Sequence, residues 1–220
     1  MLFPSVSGKG IGVLDWEGKA MTALRDPSSS GYSQAINLFI QAIRIAKKMR
    51  PNVRWGYYAL PYRTFWGMDD LWRKNNEGLK SILNETDIIF PSVYMLYTDG
   101  QVTSGKNRSY ISNNISLALR LGQICNKPVM PFVTDRWQPS AKGFANKVIP
   151  KTDFVKYISE INKVVYNNHT ISGIVWWGSP FYDYKMKNPV VRAEARSESE
   201  FVDIQDNLII NYCREIKALP

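Results

Sequence analysis

An α/β fold, in which parallel strands alternate with helices, is the architecture that this sequence predicts. Short runs rich in β-branched and aromatic residues recur between longer stretches with helical periodicity. Several of these runs are apolar on both faces, which is typical of parallel strands covered by helices. The composition, 45% hydrophobic and 21% charged, is that of a globular protein. Together these observations exclude disordered, collagen-like and coiled-coil architectures.

Five segments are predicted to be strands, because each is short, largely apolar and bounded by Gly, Pro or Asp. In chain order they are residues 10–17, 54–60, 87–95, 127–135 and 173–179. Since helical stretches separate them, we expect parallel pairing, wound either as an open sheet or as a closed barrel. Neither an internal repeat nor a low-complexity linker interrupts the chain, so we expect one domain over residues 1–220.

The stretches between the strands have the periodicity of amphipathic helices. In residues 33–50 apolar side chains recur every three or four positions, and Pro51 ends the pattern after basic residues that suit a helix C terminus. Thr152 or Asp153 is a candidate cap for a helix with Phe154 on its apolar face. Further helices are predicted at residues 69–83, 110–122 and 201–216.

The charge of the chain is strongly positive, with 28 Lys and Arg against 19 Asp and Glu and a net charge of +9. This surplus favours a polyanionic partner: nucleic acid, an anionic membrane surface or an acidic polysaccharide. The sequence contains no recognisable nucleic-acid-binding module and no phosphate-binding loop. Only the net charge supports a nucleic-acid partner, so we expect none. The longest apolar runs fall far short of the roughly 20 residues that a membrane span needs, so we expect none.

Potential glycosylation sites indicate the cellular compartment of the protein better than its two cysteines do. Asn-x-Ser/Thr sequons begin at four positions, namely Asn84, Asn107, Asn114 and Asn168. Their number favours a glycosylated protein of the secretory pathway. The alternative is chance occurrence in an Asn-rich chain. The first residues show no signal-peptide pattern. Cys125, Cys213 and the single His169 have no metal-ligand spacing, so we expect neither a metal nor a cofactor.

Two carboxylates mark the end of the first predicted strand. Asp15 and Glu17 are two positions apart, so both project from one face of the strand while Trp16 projects from the other into packing. Two acids held close together resist double ionisation, so one should have a raised pKa. A glycosidase needs such an acid to protonate its leaving group. The alternative is a pair that only forms salt bridges, for example with Lys19 or Arg25.

Aromatic side chains stand at the ends of the other predicted strands. Aromatic rings stack against the apolar faces of sugars, and their polar tips bond hydroxyl groups. The residues concerned include Tyr58, Tyr94 and Trp177. Core packing is the alternative role, and strand alternation favours it for Tyr57 and Trp176.

Six motifs, four of which contain these residues, resemble in the same order the animal hyaluronidase family, typified by bee-venom, lysosomal and sperm enzymes. Co-linear motifs are far more specific than any single one. They are Gly-Val-Leu-Asp-Trp-Glu at 12–17, Trp-Gly-Tyr-Tyr-Ala-Leu-Pro at 55–61, Leu-Asn-Glu-Thr at 83–86, Phe-Pro-Ser-Val-Tyr-Met at 90–95, Pro-Val-Met-Pro-Phe at 128–132 and Gly-Ile-Val-Trp-Trp-Gly-Ser at 173–179.

The resemblance implies a distorted TIM-like (β/α) barrel that is incomplete, with about five βα units and the first two units of the family absent. It implies a secreted or lysosomal monomer without a cofactor that cleaves hyaluronan, with chondroitin as a second candidate substrate. The mechanism implied is retaining and substrate-assisted, with Glu17 as general acid/base. Asp15 would then orient the substrate acetamido group and Tyr94 would bond its oxygen, while Tyr58 and Trp177 would line the groove.

The sequence departs from the family pattern at two places. Asn114 stands where the family commonly has a substrate-contacting arginine, and Tyr62-Arg63 stands where it usually has Asp-Cys. These departures leave open a second hypothesis, a catalytically inactive relative that binds glycosaminoglycans without cleaving them.

Overall fold

The computed structural model describes residues 5–219, so the start of the chain, where the sequence lacks a signal-peptide pattern, lies outside it. The chain divides into two compact units. Unit 1 comprises Met1–Val93, Asn113–Phe132 and Val164–Val175, and unit 2 comprises Tyr94–Ser112, Val133–Lys163 and Trp176–Pro220. The α/β class is confirmed, while a single domain over residues 1–220 stays a prediction.

The elements alternate much as the sequence predicts. The strands are β1 Gly10–Leu14, β2 Val53–Tyr57, β3 Phe132–Val133 and β4 Val175–Trp176. The helices are α1 Lys19–Ala23, α2 Tyr32–Met49, α3 Asp70–Glu77, α4 Lys80–Glu85, α5 Lys106–Cys125, α6 Lys151–Asn162, α7 Pro180–Lys185, α8 Pro189–Arg192 and α9 Glu198–Lys217, with a 3₁₀ turn at Asp99–Gln101. None of the helices in the described part of the chain has the length and apolar character needed to cross a bilayer.

An open array of parallel segments forms the centre of unit 1. Strands β1 and β2 pair in parallel from Gly10 opposite Val53 to Leu14 opposite Tyr57. Single parallel bridges continue the array in chain order, and the Val175 amide donates to the Pro131 carbonyl at 2.9 Å. The bridges are Tyr58 to Phe90, Ile89 to Val129 and Ser92 to Phe132.

The five predicted strands thus lie side by side in chain order, but they are shorter than predicted, and the third forms bridges only. Within residues 5–219 β1 pairs with β2 alone, so the described chain forms no closed barrel.

Close approach between neighbouring strands explains a glycine in the second motif. A Cβ atom on Gly56 would collide with the Ile88 carbonyl oxygen and with the ring of Phe90. Only a residue without a side chain lets the backbone of β2 lie against the next segment here.

Helix α2 covers this array as its periodicity predicts. Ala35, Phe39 and Ile43 are its buried residues, and the Tyr57 hydroxyl donates to the Phe39 carbonyl at 2.7 Å. The ring of Trp16 stacks on Phe39 with centroids 4.9 Å apart, so its predicted packing role is confirmed.

Helix boundaries differ from the predictions where turns intervene. The helix predicted at residues 69–83 is two helices, α3 and α4, since a turn at Gly78 and Leu79 separates them. The predicted capping of α6 by Thr152 or Asp153 is wrong, because that helix begins at Lys151 after Pro150 and has no side-chain cap.

Unit 2 is held together by aromatic packing and a buried ion pair. Phe154 packs against Trp176 and Tyr212, with ring centroids 4.9 and 5.5 Å away. Arg136, whose side chain is 8% exposed, bonds both carboxylate oxygens of Glu194, at 2.6 and 2.9 Å. Such a forked pair is the favourable geometry for a buried arginine.

Candidate active site

The carboxylate pair of unit 1 follows directly after β1. The Tyr58 amide donates to the Leu14 carbonyl at 3.0 Å, so strand pairing extends to the residue before Asp15. Asp15 and Glu17 are both largely exposed, although protein atoms partly surround the Asp15 carboxyl group. Neither carboxylate forms an ion pair with another described residue, so the salt-bridge alternative with Lys19 or Arg25 finds no support in residues 5–219.

The two acids differ electrostatically in the way that the sequence predicts. Partial burial of its carboxyl group and, second, the negative charge of Glu17 raise the pKa of Asp15 above its ordinary value. The expectation that one member of the pair has a raised pKa is therefore confirmed, and in the unliganded chain that member is Asp15.

The hydroxyl of Tyr58 belongs to a small polar network at the same ends of the parallel segments. Its oxygen lies 3.4 Å from Ser92 Oγ, and Arg63 Nη1 donates a hydrogen bond to the same Ser92 oxygen. The Tyr58 ring packs edge-on against Phe132 with centroids 5.0 Å apart. Ser92 is not predicted from the sequence as a site residue, although it lies within the fourth motif. Arg63 is noted there only as a departure from the family pattern.

Asn114 has a structural role that the sequence does not reveal. Its Oδ1 accepts from the Thr64 amide at 3.0 Å, and its Nδ2 donates to the Thr64 carbonyl at 2.9 Å. With 3% of its surface exposed, Asn114 replaces a backbone partner for Thr64 inside the fold. Because the asparagine amide is neutral and buried, it does not supply the substrate-contacting cation that the family commonly has at this position.

Two aromatic rings stack on each other within unit 2. Tyr94 and Trp177 stack with centroids 6.3 Å apart and planes at 12°. Tyr94 is 4% exposed, and the Tyr110 hydroxyl donates to its carbonyl at 3.0 Å, whereas Trp177 is 49% exposed. A tryptophan that is held on one face and open on the other is suited to stacking on a sugar ring.

Other polar residues near these strand ends serve packing. The buried Asp135 accepts a hydrogen bond from Trp176 Nε1 at 3.1 Å, and Arg136 pairs with Glu194 as described above. Within residues 5–219 no cluster of His, Cys, Asp and Glu side chains is arranged to hold a metal ion.

The four sequons fall into two classes. Asn84 and Asn168 are exposed, whereas Asn107 and Asn114 are 5% and 3% exposed. The Nδ2 atom, to which a glycan would attach, donates to Tyr97 O and Asp99 Oδ1 in Asn107 and to Thr64 O in Asn114. The folded chain therefore leaves two of the sequons accessible to modification.

Comparisons with known proteins agree on one family. A family model described as hyaluronidase matches residues 15–191. Hyaluronidase Tab y 2.0101 of Tabanus yao is 28% identical over 152 residues, which are 64% of this chain and 40% of that protein. Hyaluronidase PH-20 of Oryctolagus cuniculus is 27% identical over 160 residues, 67% of this chain and 28% of that protein. A chondroitin hydrolase of Caenorhabditis elegans is 33% identical over 64 residues, 26% of this chain and 14% of that protein.

Solved structures show the same fold. Bee venom hyaluronidase matches with a TM-score of 0.64 and 17% identity, over 96% of this chain and 73% of that one. Its complex with a hyaluronic acid tetramer matches with a TM-score of 0.67 and 17% identity, over 97% of this chain and 71% of that one. The chain spans less than half the length of the first curated relatives that it matches.

Proposed function

The chain belongs to the hyaluronidase family, and from that premise we propose that it is a glycoside hydrolase that cleaves the β-1,4 N-acetylhexosaminide bonds of hyaluronan. The carboxylate pair at the end of β1 carries this proposal. Asp15 and Glu17 are electrostatically coupled, and the pKa of Asp15 is raised. Two coupled acids, one protonated and one ionised, are what acid-catalysed cleavage of a glycosidic bond requires.

In the proposed mechanism Glu17 is the general acid/base and no protein group is the nucleophile. Glu17 protonates the leaving oxygen while the substrate's own 2-acetamido oxygen attacks the anomeric carbon and forms an oxazolinium intermediate. Glu17 then takes a proton from the water that opens this intermediate, and the configuration is retained. This is the substrate-assisted exception to the scheme with two catalytic carboxylates.

Asp15 would position the acetamido group of the substrate. An acetamido N–H that donates to Asp15 stabilises its ionised form, which opposes the burial that raises its pKa in the unliganded chain. Substrate binding would therefore lower the raised pKa of Asp15.

The family resemblance also suggests roles for three aromatic residues. Tyr94 would bond the acetamido oxygen, and Tyr58 and Trp177 would line the groove around the reacting sugar. The half-exposed ring of Trp177, braced by Tyr94, supports this role.

Hyaluronan is the first proposed substrate and chondroitin the second. Hyaluronic acid is the ligand named for a complex of the same fold, and one relative is named a chondroitin hydrolase. The net charge of +9 suits either acidic polymer.

The same proposal includes the barrel architecture, the cellular location and the glycosylation of the protein. The open array of five parallel segments would be part of a distorted TIM-like barrel. The protein would be a secreted or lysosomal monomer, glycosylated at the exposed sequons Asn84 and Asn168.

The test is the release of new reducing ends from hyaluronan by the wild-type chain and by Glu17→Gln. General acid/base catalysis typically accelerates a reaction by roughly a hundredfold to ten-thousandfold. The variant should therefore cleave hyaluronan at least roughly a hundredfold more slowly while still binding the polymer. Glu198→Gln, which alters an exposed carboxylate on α9, is the matched control and should be fully active. Full activity in Glu17→Gln overturns the proposal. Polymer binding without cleavage by the wild type, from acidic to neutral pH, would instead favour the inactive relative.

A further inference from the structure

The segment that follows β2 is fastened to the fold on both sides of Arg63. The buried side chain of Asn76 accepts from the Tyr62 amide at 2.7 Å, and Asn114 bonds both backbone groups of Thr64. Trp72 Nε1 donates to the Tyr62 carbonyl at 2.9 Å. Backbone atoms held by three side chains leave little freedom at the residue between them, so the origin of the Arg63 side chain is well defined.

The guanidinium of Arg63 is held beside the proposed substrate tyrosine. It donates from Nη1 to Ser92 Oγ, and that oxygen lies 3.4 Å from the Tyr58 hydroxyl. Ser92 is fully buried, whereas Arg63 and Tyr58 are half-buried, so the network reaches from the interior to the surface. Only the hydroxyl group of Ser92 therefore lies between the positive charge of Arg63 and Tyr58, which we expect to contact sugar.

A cavity adjoins this network within unit 1. Its volume is about 300 Å³, at the lower end of the range of small-molecule sites. The charged side chains that line it are Arg25, Arg63 and Asp69. Asp69 Oδ1 accepts from the Trp72 amide at 2.8 Å as the cap of α3, and Arg25 lies over the Tyr62 ring, 5.5 Å from its centroid. Because two arginines line the cavity and its single aspartate already accepts a backbone hydrogen bond, the cavity is positively charged and suits an anionic group.

We propose that Arg63 is a specificity-determining residue that binds a uronate carboxylate of the acidic polysaccharide, with the carboxylate entering the cavity shared with Arg25. A guanidinium presents its N–H donors in a planar fork that matches the two oxygens of a carboxylate. The cation for the uronate is thereby supplied from the loop after β2, while Asn114 fixes that loop. This inference rests on the proposed function, since it takes the sugar at Tyr58 to belong to an alternating uronate polymer.

The experiment compares two ligands on the full chain. One is a hyaluronan decasaccharide, and the other is the same oligosaccharide with every carboxyl group reduced to a primary alcohol. Dissociation constants for wild type, Arg63→Gln and Arg63→Lys are measured by titration calorimetry at low ionic strength, alongside KM for hyaluronan. Arg73→Gln is the matched control, because it removes one positive charge from the exposed ion pair with Asp70 on α3. Thermal unfolding of each variant checks that the fold persists.

The expected result is that Arg63→Gln binds hyaluronan at least roughly tenfold more weakly and raises KM, with no change for the reduced ligand. Arg63→Lys should be intermediate, because lysine keeps the charge without the fork. Equal weakening for both ligands would mean that Arg63 only orders Ser92 and Tyr58, and unchanged binding of hyaluronan would mean that it makes no contact. Either outcome overturns the inference while leaving the proposed function intact. Wild-type chain that neither binds nor cleaves hyaluronan would refute the proposed function, and this inference with it.

Discussion

Asn114 on α5 binds both backbone groups of Thr64, fifty positions earlier in the chain. The two hydrogen bonds make the side-chain amide a substitute for a neighbouring strand at a point where the chain leaves β2. The loop that carries Arg63 therefore depends on a helix that follows it much later in sequence.

Replacement of Asn114 should therefore destabilise the fold. In Asn114→Ala the amide and the carbonyl of Thr64 lose their partner in a partly buried place, at a cost of about 1 to 3 kcal/mol in the free energy of unfolding. Asn114→Arg, which restores the residue common in the family, should be at least as destabilising. Urea denaturation measures both, with Asn84→Ala on the exposed face of α4 as the control. A midpoint for Asn114→Ala equal to that of the control would contradict the structural role.

The raised pKa of Asp15 has two causes that mutation can separate. Glu17→Gln removes the negative charge, so the pKa of the Asp15 carboxyl should fall, yet it should stay above its ordinary value because burial is the larger cause. Carbonyl-detected NMR titration of the carboxyl carbon measures the shift. An unchanged Asp15 pKa in Glu17→Gln would show that the two acids are not coupled.

The same raised pKa has a consequence for stability. As pH rises above the ordinary value of 3.8, the unfolded chain loses the Asp15 proton before the folded chain does, so this group destabilises the fold progressively until the raised pKa is passed. Asp15→Asn removes that penalty. Its unfolding free energy relative to wild type should be higher at pH 6 than at pH 3, and a pH-independent difference would be evidence against the assignment.

The adjacent tryptophans Trp176 and Trp177 should respond to mutation in opposite ways. Trp177 is 49% exposed, so Trp177→Ala should weaken hyaluronan binding by roughly fivefold to tenfold with little change in stability. Trp176 packs against Phe154 and bonds Asp135, so Trp176→Ala should cost about 2 to 4 kcal/mol of unfolding free energy. Calorimetric titration and urea denaturation of both variants give the comparison, with each serving as the control for the other. Similar behaviour of the two variants would refute the division of roles.

Much of the architecture could be predicted because it depends on local periodicity. Residues two apart share a face of a strand, which is why Asp15 and Glu17 could be paired and Trp16 assigned to packing. Apolar residues three and four apart predicted α2 nearly to its ends. The same reasoning failed at the break between α3 and α4, because a short turn at Gly78 leaves the overall periodicity of residues 69–83 almost unchanged.

The polar network around Arg63 could not be predicted in this way. Arg63 and Ser92 are 29 positions apart, and Asn114 and Thr64 are 50 apart. Contacts of this kind depend on which elements pack side by side, and periodicity within one element carries no information about that. The only signal in the sequence was the departure from the family pattern at Tyr62, Arg63 and Asn114, which indicated that something differs without indicating what replaces it.

By itself, the sequence determined the α/β alternation, the carboxylate pair and the family, since each of these is recorded in local spacing or in co-linear motifs. The tertiary structure decided that Asp15 has the raised pKa, that Asn114 is a buried clamp, that two of the four sequons are accessible, and that Arg63 lies beside Tyr58. Burial and charge at a residue are set by neighbours from distant parts of the chain. Only the packed fold brings those neighbours together.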